Sequence, residues 1–172
     1  MSNSSSNPSN ANVSEHNLRE HDPISDEAAI LSTVNAFLTC IKNKDPNTMA
    51  SLVLKKGSAT LIRRGKPVHL TLEEVVTRIP VDPAVDMDEQ IYNSTVHVDG
   101  ELGVAWTPYV FYEDGKLNHT GTNIFNMWKT KDKGWMITGI ADISREVDEK
   151  AYDAFGEAEE WKQSQEKEAE KA

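Results

Sequence analysis

Residues 100–143 read GELGVAWTPYVFYEDGKLNHTGTNIFNMWKTKDKGWMITGIADI, and the turn signals in and around this stretch decide the fold. Asp114-Gly115 separates two runs rich in Val, Tyr, Phe, Thr and Ile, and Asp99-Gly100 stands before the first of them. Two-residue Asp-Gly turns need positive φ, which glycine adopts without a Cβ clash, and they close antiparallel hairpins. Lys131-Asp132-Lys133-Gly134 marks a third reversal. The pattern predicts a four-strand antiparallel meander over 89–98, 101–113, 116–130 and 135–144.

Upstream of the meander the apolar period changes from two to 3.6. Ile30, Leu31, Val34, Phe37, Leu38 and Ile41 share one stripe, which predicts a helix capped by Ser25 or Asp26 and ending near Lys42. Asp45-Pro46 opens a shorter helix with Met49, Leu52 and Val53 facing inward. A strand at 58–63 is turned by Gly65-Lys66-Pro67. Thr71-Leu72-Glu73-Glu74 is a capping box for a third helix reaching Ile79. Helices first and the large sheet last define an α+β chain.

The folded domain spans 25–146. Residues 1–24 are dominated by Ser and Asn and hold too little apolar surface to offset the entropy of ordering, so a disordered polar tail is expected. Residues 147–172 form an acidic, partly helical tail with Val147, Ala151, Phe155, Ala158 and Trp161 on one stripe. Net charge is −10, of which −6 falls in 146–172 through ten acidic and four basic side chains. The body is mildly acidic, and its basic cluster, Arg63, Arg64 and Lys66, surrounds a turn. Such a surface argues against nucleic-acid binding.

No apolar run approaches the roughly 18 residues of a membrane span, so no membrane association is expected. The N-terminus lacks a basic patch followed by an apolar core, and the lone Cys40 suits a reducing compartment, so a cytoplasmic location is expected. There is no His-Glu-x-x-His, no paired-Cys spacing, no His-x-His and no phosphate-binding glycine loop, so neither metal nor cofactor is expected. Cys40 reads as a buried, inert thiol.

Turns fix register, and register fixes which side chains share a sheet face. With the two Asp-Gly turns as drawn, Asn93 pairs with Trp106, Trp106 with Asn123, and Val110 with His119. One face then carries Asn93, Trp106, Val110, Tyr112, His119, Asn123 and Phe125, an apolar wall set with a few polar groups, which is the composition of a small-molecule pocket. The other face carries Ala105, Thr107, Tyr109, Phe111 and Thr122, suited to a dimer interface or a half-solvated sheet. A single bulge would exchange the faces. His119 is the catalytic candidate, because imidazole titrates near neutrality and can take and return a proton. Asn93 and Asn123 offer both donors and acceptors to a ligand carbonyl or hydroxyl. Trp106, Val110, Tyr112 and Phe125 supply the apolar wall. Asp142, counted from a three-residue last turn, points away from the pocket.

The order of helices and curved sheet resembles the nuclear transport factor 2-like superfamily, and residues 100–143 look like its SnoaL-like and lumazine-binding-like branch. The residues carrying the likeness are Ala105-Trp106-Thr107-Pro108-Tyr109, Phe111-Tyr112, Asp114-Gly115-Lys116, His119-Thr120-Gly121, Phe125 and Gly134-Trp135-Met136-Ile137. The resemblance implies a cone, with an antiparallel sheet wrapped around three N-terminal helices and a pocket at the wide end. It implies homodimerisation through the outer sheet face. Dehydratases and cyclases of this fold work with His and Asp, sometimes helped by Tyr or Asn; here His119 stands at the matching strand position and Trp106 takes the place of a second strand His.

Three functions fit this sequence. One is an acid–base enzyme, a cofactor-independent lyase or isomerase acting on an aromatic or polyketide-like molecule through His119. The second is a ligand binder with the same pocket and no turnover. The third is a dimeric interaction module whose outer face and C-terminal helix matter more than its pocket.

Overall fold

The computed structural model describes residues 24–78, 83–147, 156–160, 162–164 and 167–168. Apart from Ile24, the tail expected over 1–24 lies outside the described residues, as do Ala151, Phe155 and Trp161. Helix α1 (Asp26–Asn43) starts at Ser25, whose hydroxyl accepts from the Ala28 N–H at 3.2 Å, and stops where Lys44 turns left-handed at φ 55°. It buries Ile30, Val34, Phe37, Leu38 and Cys40. Asp45 caps α2 (Pro46–Leu52), which buries Met49. The expected capping box starts α3 (Leu72–Thr77): Thr71 Oγ1 accepts from the Glu74 N–H, and Glu74 Oε2 accepts from the Thr71 N–H at 2.7 Å.

The strands are β1 (Val53–Arg63), β2 (Lys66–Thr71), β3 (Met87–Ile91), β4 (Thr95–Asp99), β5 (Leu102–Glu113), β6 (Lys116–Thr130) and β7 (Gly134–Glu146). They form one curved, unclosed sheet in the order β2-β1-β7-β6-β5-β3, with β4 also paired to β5. Two features differ from the expected arrangement. The sheet is mixed, because β1 runs parallel to β7. The third helix follows the first hairpin, so only α1 and α2 precede the sheet.

Helix α1 packs on β3, β4, β5 and β7, and α3 packs on β1, β2 and β7. Between them lies the core, where Phe37 meets Phe125 edge-on with ring centroids 5.9 Å apart. Asp26, in the first turn of α1, accepts from Lys129 Nζ at 2.6 Å and from the Trp135 indole at 3.0 Å, which ties the helix start to the β6–β7 hairpin. Gly121 sits opposite Tyr109 across β5–β6, and any Cβ there would collide with the phenol ring and with the Ile143 carbonyl. The missing side chain makes room for the Tyr109 phenol against Gly121.

Local irregularities set which residues of β3 to β7 face inward. Asn93, left-handed at φ 43°, breaks the expected first strand into β3 and β4. In β6, Phe111 pairs with His119 but Tyr112 pairs with Leu117, so Asn118 is an extra residue. In β7, Met127 pairs with Ile137 but Asn126 pairs with Gly139, so Thr138 is another. Each single-residue bulge reverses the alternation beyond it. The β4–β5 turn also falls on Gly100-Glu101, with Asp99 paired to Leu102, rather than on Asp99-Gly100.

Candidate active site

The bulges correct the expected faces. His119 pairs with Phe111 instead of Val110, and Asn123 pairs with Thr107 instead of Trp106. The inner face therefore carries Ala105, Thr107, Tyr109 and Phe111 from β5, with His119, Gly121, Asn123 and Phe125 from β6. Thr138 turns Asp142 inward as well, against the expectation from the turn count, and pairs it with Asn123. Along this face an apolar layer of Ala105, Phe125 and Ile140 gives way to Thr107, Asn123 and Asp142, and then to Tyr109 and His119.

These polar side chains are joined. The Asp142 carboxylate accepts from the Tyr109 hydroxyl at 3.1 Å and from the Arg63 guanidinium, an ion pair whose acid is buried while the arginine stays half exposed. Asn123 Nδ2 donates to Glu89 Oε1 at 2.7 Å. Burial pushes the Glu89 carboxyl up to about 7; the nearby Asp142 charge adds to this, while the Asn123 bond and Arg63 oppose it. Burial also pushes the Tyr109 phenol far up, and the charges of Asp142 and Glu89 reinforce the effect, so Tyr109 serves as a donor. Glu89 thus keeps its proton toward neutrality beside the Arg63–Asp142 ion pair.

His119 stacks on Phe111 with centroids 4.7 Å apart and meets Tyr109 edge-on at 5.7 Å. Burial lowers its pKa, Arg63 lowers it further, and Asp142 partly offsets both. The balance favours the neutral imidazole. Its tautomer follows from the bulge residue: Asn118 Nδ2 donates to Glu113 at 2.8 Å, which turns Asn118 Oδ1 toward His119 Nδ1, also at 2.8 Å. An amide oxygen only accepts, so Nδ1 carries the hydrogen and Nε2 keeps a free lone pair. The ring lines a cleft of about 1030 Å³ with Arg63, Arg64, Asn118, Ser144, Arg145 and Glu146. Glu89 opens on a second cleft, of about 700 Å³, beside Leu31, Asn35 and Asn93.

The other sequence candidates disperse. Asn123 is buried in the polar cluster, and Asn93 is exposed on the rim of the Glu89 cleft. Phe125 is core, packed on Phe37. Val110 is fully buried on the outer face with Tyr92 and Ala158, from the helical residues 156–160. Tyr112 is beside them and donates its hydroxyl to Glu159 at 3.4 Å. Trp106 is 50% exposed on the outer face. Sequence reasoning missed Glu89, Tyr109, Arg63 and Asp142 as members of the site. Gly139, a glycine inside a strand, was the one local sign of the bulge that brings Asp142 in.

No protein-family model matches this sequence, and no curated protein does. Solved structures do. A conserved protein from Planctomyces limnophilus superposes with a TM-score of 0.61 at 13% identity, covering 71% of this chain and 98% of its own. A nuclear transport factor 2-like protein with a cystatin-like fold from Novosphingobium aromaticivorans gives 0.59 at 14% identity, with 75% and 88% covered. A candidate β subunit of an aromatic-ring-hydroxylating dioxygenase from the same organism gives 0.56 at 14% identity, with 70% and 89% covered. The chain has the nuclear transport factor 2-like, cystatin-like fold.

Glu89 provides a test of this electrostatic arrangement. Folded Glu89 holds its proton to about pH 7, whereas the ordinary glutamate value is 4.5. A carboxyl with a raised folded pKa favours the fold at low pH, and that contribution is lost as pH rises through 7. Glu89→Gln keeps an acceptor for Asn123 and removes the titration. In urea unfolding the variant should gain on the wild type by up to about 3 kcal/mol between pH 4.5 and pH 8. A difference that does not change with pH would contradict the assignment.

Proposed function

We propose that this protein binds a small, aromatic or polyketide-like molecule in the His119 cleft and acts on it by acid–base chemistry, as a cofactor-independent lyase or isomerase. The observation that carries this reading is the His119 imidazole held at Nδ1 by Asn118 Oδ1 at 2.8 Å, set in a cleft and backed by the Tyr109–Asp142–Arg63 group. In the step envisaged, Nε2 takes a proton from carbon next to a carbonyl and the C–H electron pair moves toward the carbonyl oxygen. The imidazolium then returns the proton to another carbon, or to a leaving hydroxyl that departs as water. A compartment that keeps the single Cys40 reduced, the cytoplasm, suits such an enzyme.

The same pocket without turnover would make a ligand carrier. Mass spectrometry of small molecules released by denaturing the purified protein identifies the compound to assay. With it, His119→Asn should lower kcat by about 10²-fold or more while leaving the fold intact by circular dichroism. Unchanged kcat removes His119 from the chemistry, and a compound recovered unaltered after incubation makes the protein a binder.

We further propose a homodimer through the outer sheet face. Its support is a strip on that face where Leu102, Trp106 and Trp128 are exposed, with Ile62, Ile124 and Ile143 around Trp106. Light scattering after size exclusion should give twice the chain mass for the wild type and the chain mass for Trp106→Glu. A monomeric wild type at micromolar concentration would contradict it.

A further inference from the structure

The His119 cleft concentrates positive charge in a chain whose net charge is −10. Three arginines line it, Arg63, Arg64 and Arg145, and among the described residues Glu146 is the one acid there, already paired with Arg64 at 2.8 Å. Arg145 makes no ion pair among the described residues. Arg63 neutralises Asp142 behind it and gives Nη1 to the Ile62 carbonyl at 3.2 Å, but a guanidinium has five N–H donors, so several remain. The sequence places Arg63 and Arg64 at a turn; Arg145, which pairs with Thr120 and starts from the outer side of β7, reaches the rim of the cleft that His119 lines from the inner side.

Arg63 has a second role in the surface. It also borders a hollow of about 240 Å³ between β1–β2 and α3, lined by Leu61, Val68, Leu70 and Val75 with Arg78 at its edge. A half-exposed guanidinium thus stands between an apolar hollow and an arginine-lined cleft. Arginine is suited to planar, bidentate capture of carboxylate or phosphate.

From this arrangement we infer that the site takes an amphipathic organic anion, with its apolar body in the hollow beside α3 and its acidic head on the arginines around His119. The inference rests on the reading of this cleft as a ligand site and narrows the ligand to one chemical class. It gives the local excess of arginine a use, since an acidic protein otherwise repels such molecules until they reach this opening.

Four probes of similar size test it by calorimetry and ¹H–¹⁵N NMR: benzoate, phenyl phosphate, benzyl alcohol and benzamide. At least one of the two anions should bind about tenfold more tightly than both neutral probes, with shifts centred on Arg63, Val75 and His119. The better anion shows whether the head is carboxylate or phosphate. Arg64→Gln/Arg145→Gln, which alters only exposed side chains, should weaken the anion about fivefold or more and leave the neutral probes unchanged. Equal binding of anions and neutral probes overturns the inference, as does binding elsewhere, insensitivity to the double substitution, or binding of none at low-millimolar concentration. The readout is affinity rather than turnover, so a catalytically silent His119 would leave this result standing.

Discussion

The buried carboxylate of Asp142 is the constraint around which the inner face is organised. It takes the Tyr109 hydroxyl on one oxygen and the Arg63 guanidinium on the other, and it lies next to Asn123, which in turn holds Glu89. Removing one partner from a buried pair leaves an uncompensated charge, which costs more than the pair itself contributes. Tyr109 is therefore committed as a donor, Arg63 is fixed at the edge of the cleft, and Glu89 cannot ionise cheaply beside a second acid. The Arg63 charge that neutralises Asp142 also helps keep the His119 imidazole neutral.

That organisation depends on two extra residues in the sheet. Without Asn118, His119 would sit opposite Val110 and face outward with it. Without Thr138, Asp142 would point away from Tyr109. The bulges do more than change direction, because Asn118 also uses its side chain to hold Glu113 on one side and His119 on the other. A residue left over from the ladder has become the element that orients the imidazole. Bulges next to reactive groups commonly re-aim a side chain in this way.

The helix stripe of α1, the Asp45-Pro46 start, the Thr71 capping box and the Asp114-Gly115 turn were all legible, because each is a local signal written in neighbouring residues. The α+β class and the division of Tyr109 and Tyr112 between opposite faces followed from them. Face assignment was not legible beyond the first bulge, since period-two alternation carries any one-residue error to the end of the strand. Hence Trp106 and Val110 were placed in a pocket and lie on the outer face, while Asp142 and Tyr109 were placed outside and lie within. The parallel pairing of β1 with β7 joins segments more than seventy residues apart, and no turn signal encodes it.

The tautomer that Asn118 imposes on His119 decides whether Nε2 can take a proton. The most direct measurement is the ¹⁵N chemical shifts of the imidazole nitrogens in histidine-labelled protein at pH 7. A protonated Nδ1 and an unprotonated Nε2 are expected for His119, with that preference lost in Asn118→Ala. An Nε2–H tautomer or an imidazolium in the wild type would contradict it.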